Sequence, residues 1–242
     1  MTFDAPRLSF SHAVAAPRRP HRVAFAATIG GSPVDQETEN ICRDSMQNFK
    51  NMGSTVEEIT IDLEDLEDTF LALRSQEFVI DRELQLQRYR DQIKPDIIWN
   101  TELGLEQSIP TLAKAERARA ALYMQFNELF SQYDLIVTPG ANTPAFDVEL
   151  RYPEAIDGIK LEHYMAASTL TAAVTISASP ALSLPCGFDQ YGRPIGLQLI
   201  GRPRGEAALL AAGALFEIER GLAEQVPIDP RHGKVPPMGK LT

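Results

Sequence analysis

The sequence predicts an α/β chain that carries part of a mixed β-sheet flanked by helices. Three observations lead there. Residues 22–61 read as strand, helix, strand, the pattern of a βαβ unit. Long stretches with helical apolar spacing, 64–93 and 111–132, precede a short, wholly apolar run at 135–138. Finally, two apolar runs, 181–188 and 195–200, flank Asp189-Gln190-Tyr191-Gly192-Arg193-Pro194, a set of residues suited to reversing the chain, so 181–200 is expected to be a β-hairpin.

Composition sets the outer limits. With 242 residues, 44% hydrophobic and 23% charged, the chain has the make-up of an ordinary globular protein and enough length for a sizeable core. A formal charge of -10 argues against a direct nucleic-acid surface, which needs clustered Lys and Arg to displace counterions. Cys42 and Cys186 are too few and too far apart for a disulfide framework or a CxxC metal site, and they suit a reducing compartment. The first residues lack a basic start followed by an apolar core, and no run is long enough to span a bilayer. A cytoplasmic protein without a membrane partner is expected.

In chain order, residues 1–21 contain Pro and Arg without periodicity and are expected to be irregular. Residues 22–29 form a short apolar strand, ended by Gly30-Gly31-Ser32-Pro33. Those glycines match neither GxGxxG nor GxxxxGK[ST], so a plain turn is preferred to a phosphate loop. Thr38, Ile41, Ser45, Phe49 and Met52 repeat at helical spacing across 34–52, with Gly53 as the stop. Thr55, Val56, Ile59, Thr60 and Ile61 then mark a β-branched strand.

Leu66, Phe70, Leu73, Ile80 and Leu84 give the inner side of the next helix, which Pro95 closes. Consecutive carboxylates at its start, Asp62, Glu64, Asp65, Glu67 and Asp68, are read as solvated residues that complement the helix dipole, in preference to a metal site. Residues 97–108 make a short helix holding Trp99, and Thr111 is expected to cap a helix to Gln132 with Leu112, Ala115, Leu122, Phe126 and Leu129 inward. After the apolar strand at 135–138, residues 141–153 have no periodicity and are the expected substrate rim. Residues 161–176 are weakly helical and rich in small side chains, 205–223 form a buried helix, and 226–242 are a Pro- and Gly-rich surface tail.

In the hairpin, Leu182, Leu184 and Cys186 or Phe188, with Ile195, Leu197 and Leu199, form a bulky face. Gly187, Gly196 and Gly201 suggest that the other face is bare and made to be covered. The hairpin residues also carry a resemblance. SPALSLPCGF, then GRPIGLQLIGR, then GEAALL, supported upstream by YDLIVTPGANTPAF and RYPEAIDGIK, resemble the second half of the amidase signature family, over residues 16–219. The resemblance implies the amidase signature fold, second half only, with 22–225 as that half of the domain. It also implies hydrolysis of a carbon–nitrogen amide bond of a small substrate through a serine acyl-enzyme, with no metal or organic cofactor.

Tyr164 and Met165 are the candidate substrate-binding wall, with Cys186 as a small apolar wall residue, although Tyr164 and Met165 also suit a plain core. No catalytic residue is assigned. The family's nucleophile sits in a GGSSGG-type loop with an upstream lysine, whereas this sequence has no adjacent serines, no SxxK and no GxSxG, and its first lysine is Lys50. Ser32 follows two glycines but precedes Pro33 and Val34, so the nucleophile is not carried over to it. Cys186 with His163 as base is the one alternative arrangement, and an inert cysteine is preferred. Gln198, inside a strand, needs hydrogen-bond partners if buried and is expected to orient neighbouring backbone instead of substrate. The expected partners are a missing N-terminal half or a second copy of the chain. A non-catalytic relative that binds a small molecule or partner, and the amidase-like component of a tRNA-dependent amidotransferase, are the competing readings.

Overall fold

The computed structural model describes residues 9–221. It begins with helix α1 (Phe10–Ala15), in a segment expected to be irregular. Ser9 Oγ accepts from His12 N–H at 3.1 Å, and Ala13 is buried as α1 packs on the last helix of the chain. Six residues are too few to show a helical period, so tertiary contact decides this element.

Strand β1 (Arg22–Phe25), helix α2 (Gln36–Asn51) and strand β2 (Thr55–Glu58) form the expected βαβ unit, with β1 and β2 parallel. Asp35 caps α2 by accepting from Thr38 N–H at 2.8 Å, and Gly53 leaves the helix at φ +86°, a conformation that favours glycine. Next come α3 (Leu66–Tyr89), α4 (Pro95–Leu105) and α5 (Ile109–Gln132). α3 stops at Tyr89 and a 3-10 turn, Arg90–Gln92, follows, so Pro95 does not close α3 but opens α4, where a missing N–H costs nothing. Ser108, not Thr111, caps α5 by accepting from Thr111 N–H at 3.2 Å.

Strand β3 (Leu135–Pro139) follows, then the two-residue strands β4 (Ala155–Ile156) and β5 (Ile159–Lys160). Asp157 and Gly158 join them at φ +47° and +81°, the left-handed pair of a tight hairpin turn that the sequence reading missed. Helix α6 (Thr169–Ile176), strands β6 (Ala181–Phe188) and β7 (Pro194–Ile200), and helix α7 (Glu206–Arg220) complete the described chain. The tail 226–242 lies outside the described residues.

The main sheet has the order β2-β1-β3-β7-β6 and is mixed: β3 runs parallel to β1 and antiparallel to β7, and β6 is antiparallel to β7. One face is covered by α2 and α7 through Phe25, Phe49, Val137, Leu184, Leu197, Leu199 and Phe216. Phe49 and Phe216 stack at 5.1 Å where the two helices meet. Each such ring removed from water contributes roughly 1.5–3 kcal/mol before chain entropy is counted. The opposite face packs on α5 and α6 through Ala24, Ile136, Ile200, Leu122, Phe126, Leu170 and Val174.

Two patterns differ from the expectation. Leu66, Phe70 and Leu73 of α3 are buried, but Ile80 and Leu84 are 67% and 66% exposed. Leu86, farther along the same helix, is buried, so the covered side of the second part of α3 leaves out Ile80 and Leu84, which helical spacing alone does not show. The hairpin glycines are divided between faces. A Cβ added at Gly187 would meet Ile41 of α2 at 2.8 Å, and one at Gly201 would meet Leu209 of α7 at 3.3 Å. A bulge between Pro185 and Gly187 shifts the alternation by one, and Gly201 shares the parity of Leu197 and Leu199. Only Gly196 belongs to the face away from α2 and α7, where its added Cβ would meet Leu184 O at 3.2 Å.

Candidate active-site face

Side chains of opposite parity to the Leu197–Leu199 core point to the α5 and α6 side of the sheet. There, Thr138 of β3, Gln198 of β7 and Ser183 of β6 lie in register across three neighbouring strands. Gln198 Nε2 donates to Thr138 Oγ1 at 3.2 Å, and Thr138 Oγ1 donates to Pro139 O at 3.0 Å. Thr138 is fully buried, Gln198 is 8% exposed, and Ser183 is open to solvent at the sheet edge. The expected need of Gln198 for a partner is thus met by a side chain, which aims its amide along the polar row.

β3 ends at Pro139, where Gly140 N–H donates to Gly196 O at 2.8 Å. The chain then enters the 141–153 loop, whose start is fastened to the turn after β1. Asn142 Nδ2 donates to Pro33 O at 2.6 Å, and Asp35 N–H donates to Asn142 O at 2.8 Å. Asn142 Oδ1 and Ser32 Oγ are buried there, and neither has a hydrogen-bond partner among the described residues. Both sit beyond the carboxyl ends of the parallel strands β1 and β3, the end at which α/β sheets carry their sites.

The hairpin turn holds the same loop. Arg193 Nη1 donates to Ala145 O at 2.8 Å, while Arg193 Nε donates to Asp189 Oδ2 at 2.5 Å. Asp189 Oδ1 accepts from the N–H groups of Tyr191 at 3.0 Å and Arg193 at 2.8 Å. Burial pushes the Asp189 carboxyl up, but these N–H groups and the Arg193 guanidinium outweigh it and hold the group below its ordinary range.

Tyr164 and Met165 fall together, in a cluster with Phe70 of α3 and Ala172 of α6. Tyr164 Oη accepts from Asn100 Nδ2 at 2.7 Å, Trp99 meets the ring edge at 5.9 Å, and the Arg151 guanidinium from the rim loop lies 5.4 Å from its centre. The neighbouring His163 pairs with Glu67 through Nε2 at 2.8 Å and leans on Trp99 at 5.5 Å. Sequence reading missed Asn100 and Trp99 as partners of this cluster. A buried Asn inside a helix was the available signal, because such a group must be satisfied.

Cys186 is elsewhere. It is 1% exposed on the α2 and α7 face, with its Sγ 3.9 Å from Cys42 Sγ, and its carbonyl accepts from Arg220 Nε at 3.0 Å. The structure therefore does not bring Cys186 to Tyr164, Met165 or His163. Donation to Cys186 and burial push the Cys42 thiol up, whereas accepting that hydrogen bond holds Cys186 below its ordinary range; a nucleophile at Cys186 still lacks the base that His163 was expected to supply. Among the described residues no cluster of His, Cys, Asp and Glu has the makings of a metal site, and no helix is long and apolar enough to cross a membrane.

Comparison with known proteins follows the same lines. A component of the glutamyl-tRNA(Gln) amidotransferase of Pediococcus pentosaceus is 27% identical over 225 residues, an alignment covering 77% of this chain and 42% of that protein. An acylamidase from Rhodococcus erythropolis is 24% identical over 214 residues, covering 86% of this chain and 44% of the relative. The fold matches the crystal structure of a bacterial aryl acylamidase of the amidase signature family with a TM-score of 0.79 at 20% identity, covering 90% of this chain and 47% of that one. The chain thus spans less than half the length of these relatives. The family model described as Amidase matches residues 2–210, and by that match the chain belongs to the amidase family.

Proposed function

We propose that this chain is the second half of an amide-hydrolysing domain, whose other half supplies the nucleophile, the proton relay and the oxyanion donors. The carrying observation is the open edge of the sheet. β6 is the last strand of the main sheet, so among the described residues one row of its backbone groups has no neighbouring strand, and Ala181, Ser183 and Pro185 are exposed along it. An eight-residue edge of that kind is a template for further pairing. The exposed Ile80 and Leu84 of α3 support a second covered surface.

In the assembled domain, a serine of the other half attacks the carbonyl of a small amide, and preorganised donors stabilise the tetrahedral oxyanion. The amine leaves with a proton, and water then hydrolyses the acyl-enzyme. This chain contributes the sheet floor through Thr138, Gln198 and Ser183, and a pocket wall through Tyr164 and Met165. Cys186 acts only from behind, through its packing beneath β6.

A second reading has support from the relatives. Since a component of a glutamyl-tRNA(Gln) amidotransferase is among them, the assembled domain is in this reading the amidase-like part of such an enzyme, with the tRNA held by a different polypeptide. The test is complementation. A polypeptide with a GGSSGG-type loop and its upstream lysine, from the adjacent coding sequence, is mixed with this chain, and ammonia release from small amides and from glutamine is measured. Release by the mixture alone supports the proposal, and a preference for glutamine favours the second reading. Binding without release points to a degenerate enzyme, and absence of binding favours a non-catalytic relative.

A further inference from the structure

A cavity of about 580 Å³ opens at the end of the sheet where β1 and β3 begin, opposite to the rim loop. It lies between α1, the first half of α7 and the start of β3. Its size is that of a small-molecule pocket. Its floor is apolar, made by alanines of α1 and α7 together with Leu209. Its charged lining is one-sided: Arg18, Arg19 and Arg202 against the single carboxylate Asp134.

That balance is unlike the rest of the chain, in which 33 acidic residues outnumber 23 basic ones. It is also unlike two other cavities among the described residues. Between α3 and α5, Arg74 and Arg119 are matched by Glu77 and Glu116 in a space of about 650 Å³, and the cavity around Lys114 holds Asp65 and Asp68. Asp134 is also partly committed, since its Oδ2 accepts from the N–H groups of His21 at 2.8 Å and Arg22 at 3.0 Å. Arg19 and Arg202 each donate to one backbone carbonyl, Gly53 O and Phe130 O, and a guanidinium has five N–H donors. The Arg18 side chain has no hydrogen-bond or ion-pair partner among the described residues.

We propose that this cavity binds an amphipathic carboxylate, with the apolar body on the alanine floor and the carboxylate among the guanidinium groups of Arg18, Arg19 and Arg202. Planar guanidinium donors match a carboxylate in two-point geometry, and the apolar floor supplies the remaining attraction. The proposal stands apart from the amide chemistry, because it uses none of the residues of the polar row.

The test is calorimetric titration of the 242-residue chain with octanoate, 1-octanol and inorganic phosphate as probes, at low salt. Octanoate is expected to bind with one site per chain, and each of the other probes at least about tenfold more weakly, the equivalent of one charge-assisted contact or of the apolar body. Ala208→Phe, at an exposed lining position, should fill the cavity and weaken octanoate at least about tenfold. Arg18→Gln should weaken octanoate and leave octanol unchanged, with far-ultraviolet circular dichroism reporting that both variants are folded. Absence of octanoate binding, equal binding of octanol or of phosphate, or binding indifferent to both substitutions would overturn the assignment.

Discussion

Replacing Asp189 with alanine removes the centre of the hairpin turn. Three hydrogen bonds end on its carboxylate: Tyr191 N–H at 3.0 Å, Arg193 N–H at 2.8 Å and Arg193 Nε at 2.5 Å. A hydrogen bond to an ionised group is worth about 1.5–3 kcal/mol where its loss leaves a buried partner. Tyr191 is exposed and Arg193 half-buried, so water recovers part of each bond. Roughly 1 kcal/mol per bond, and so about 3 kcal/mol in all, is the expected loss. For a chain of this length that lowers Tm by roughly 6–12 °C. Asp189→Asn keeps one acceptor oxygen but loses the charge facing Arg193, and should cost about half as much.

The assay is urea unfolding, in which the midpoint should fall while the slope stays constant. The pH dependence has a definite sign. Asp189 is held below its ordinary range, so its contribution is complete above the unfolded value of about 3.9 and is lost as pH falls through the folded value. The gap between the parent chain and Asp189→Ala should therefore be constant from neutral pH down to that point and narrow below it. A loss under about 1 kcal/mol at neutral pH, or a gap that persists unchanged in acid, would refute the assignment of the turn's stability to this carboxylate.

Gly104→Ala in α4 would press a Cβ onto Ser75 O of α3, so although alanine favours helix by about 1 kcal/mol, the net result should be destabilisation of about 1–3 kcal/mol by urea unfolding. Gly196→Leu puts a side chain on the face of the polar row, beside Ser183, and should reduce ammonia release in the complementation assay more than it reduces stability; activity indifferent to it would mean that this row is not part of the site. The chain alone should hydrolyse no simple aryl or alkyl amide above background, and turnover that is present but disappears in Cys186→Ala would revive the thiol as nucleophile.

Sequence alone determined the elements whose signals are local. The hairpin was legible because two alternating runs flank Asp189–Pro194, and the βαβ unit because strand and helix periods change at Gly30-Gly31 and Gly53. The family was legible through the residues of β6, β7 and the start of α7, which lie within the stretch 2–210 that matches the family model. Other features needed the fold. Helix α1 exists through its contact with α7, and Ile80 and Leu84 are exposed although Leu86, farther along α3, is buried. Cys186 and Gly187 both face α2 since a bulge changes the alternation, and no propensity places a bulge. The polar row joins Thr138, Ser183 and Gln198 from three strands, and the basic cavity joins α1, β3 and α7. Register between strands and closure between distant elements are long-range quantities, set by how the whole core packs, so they became visible only in three dimensions.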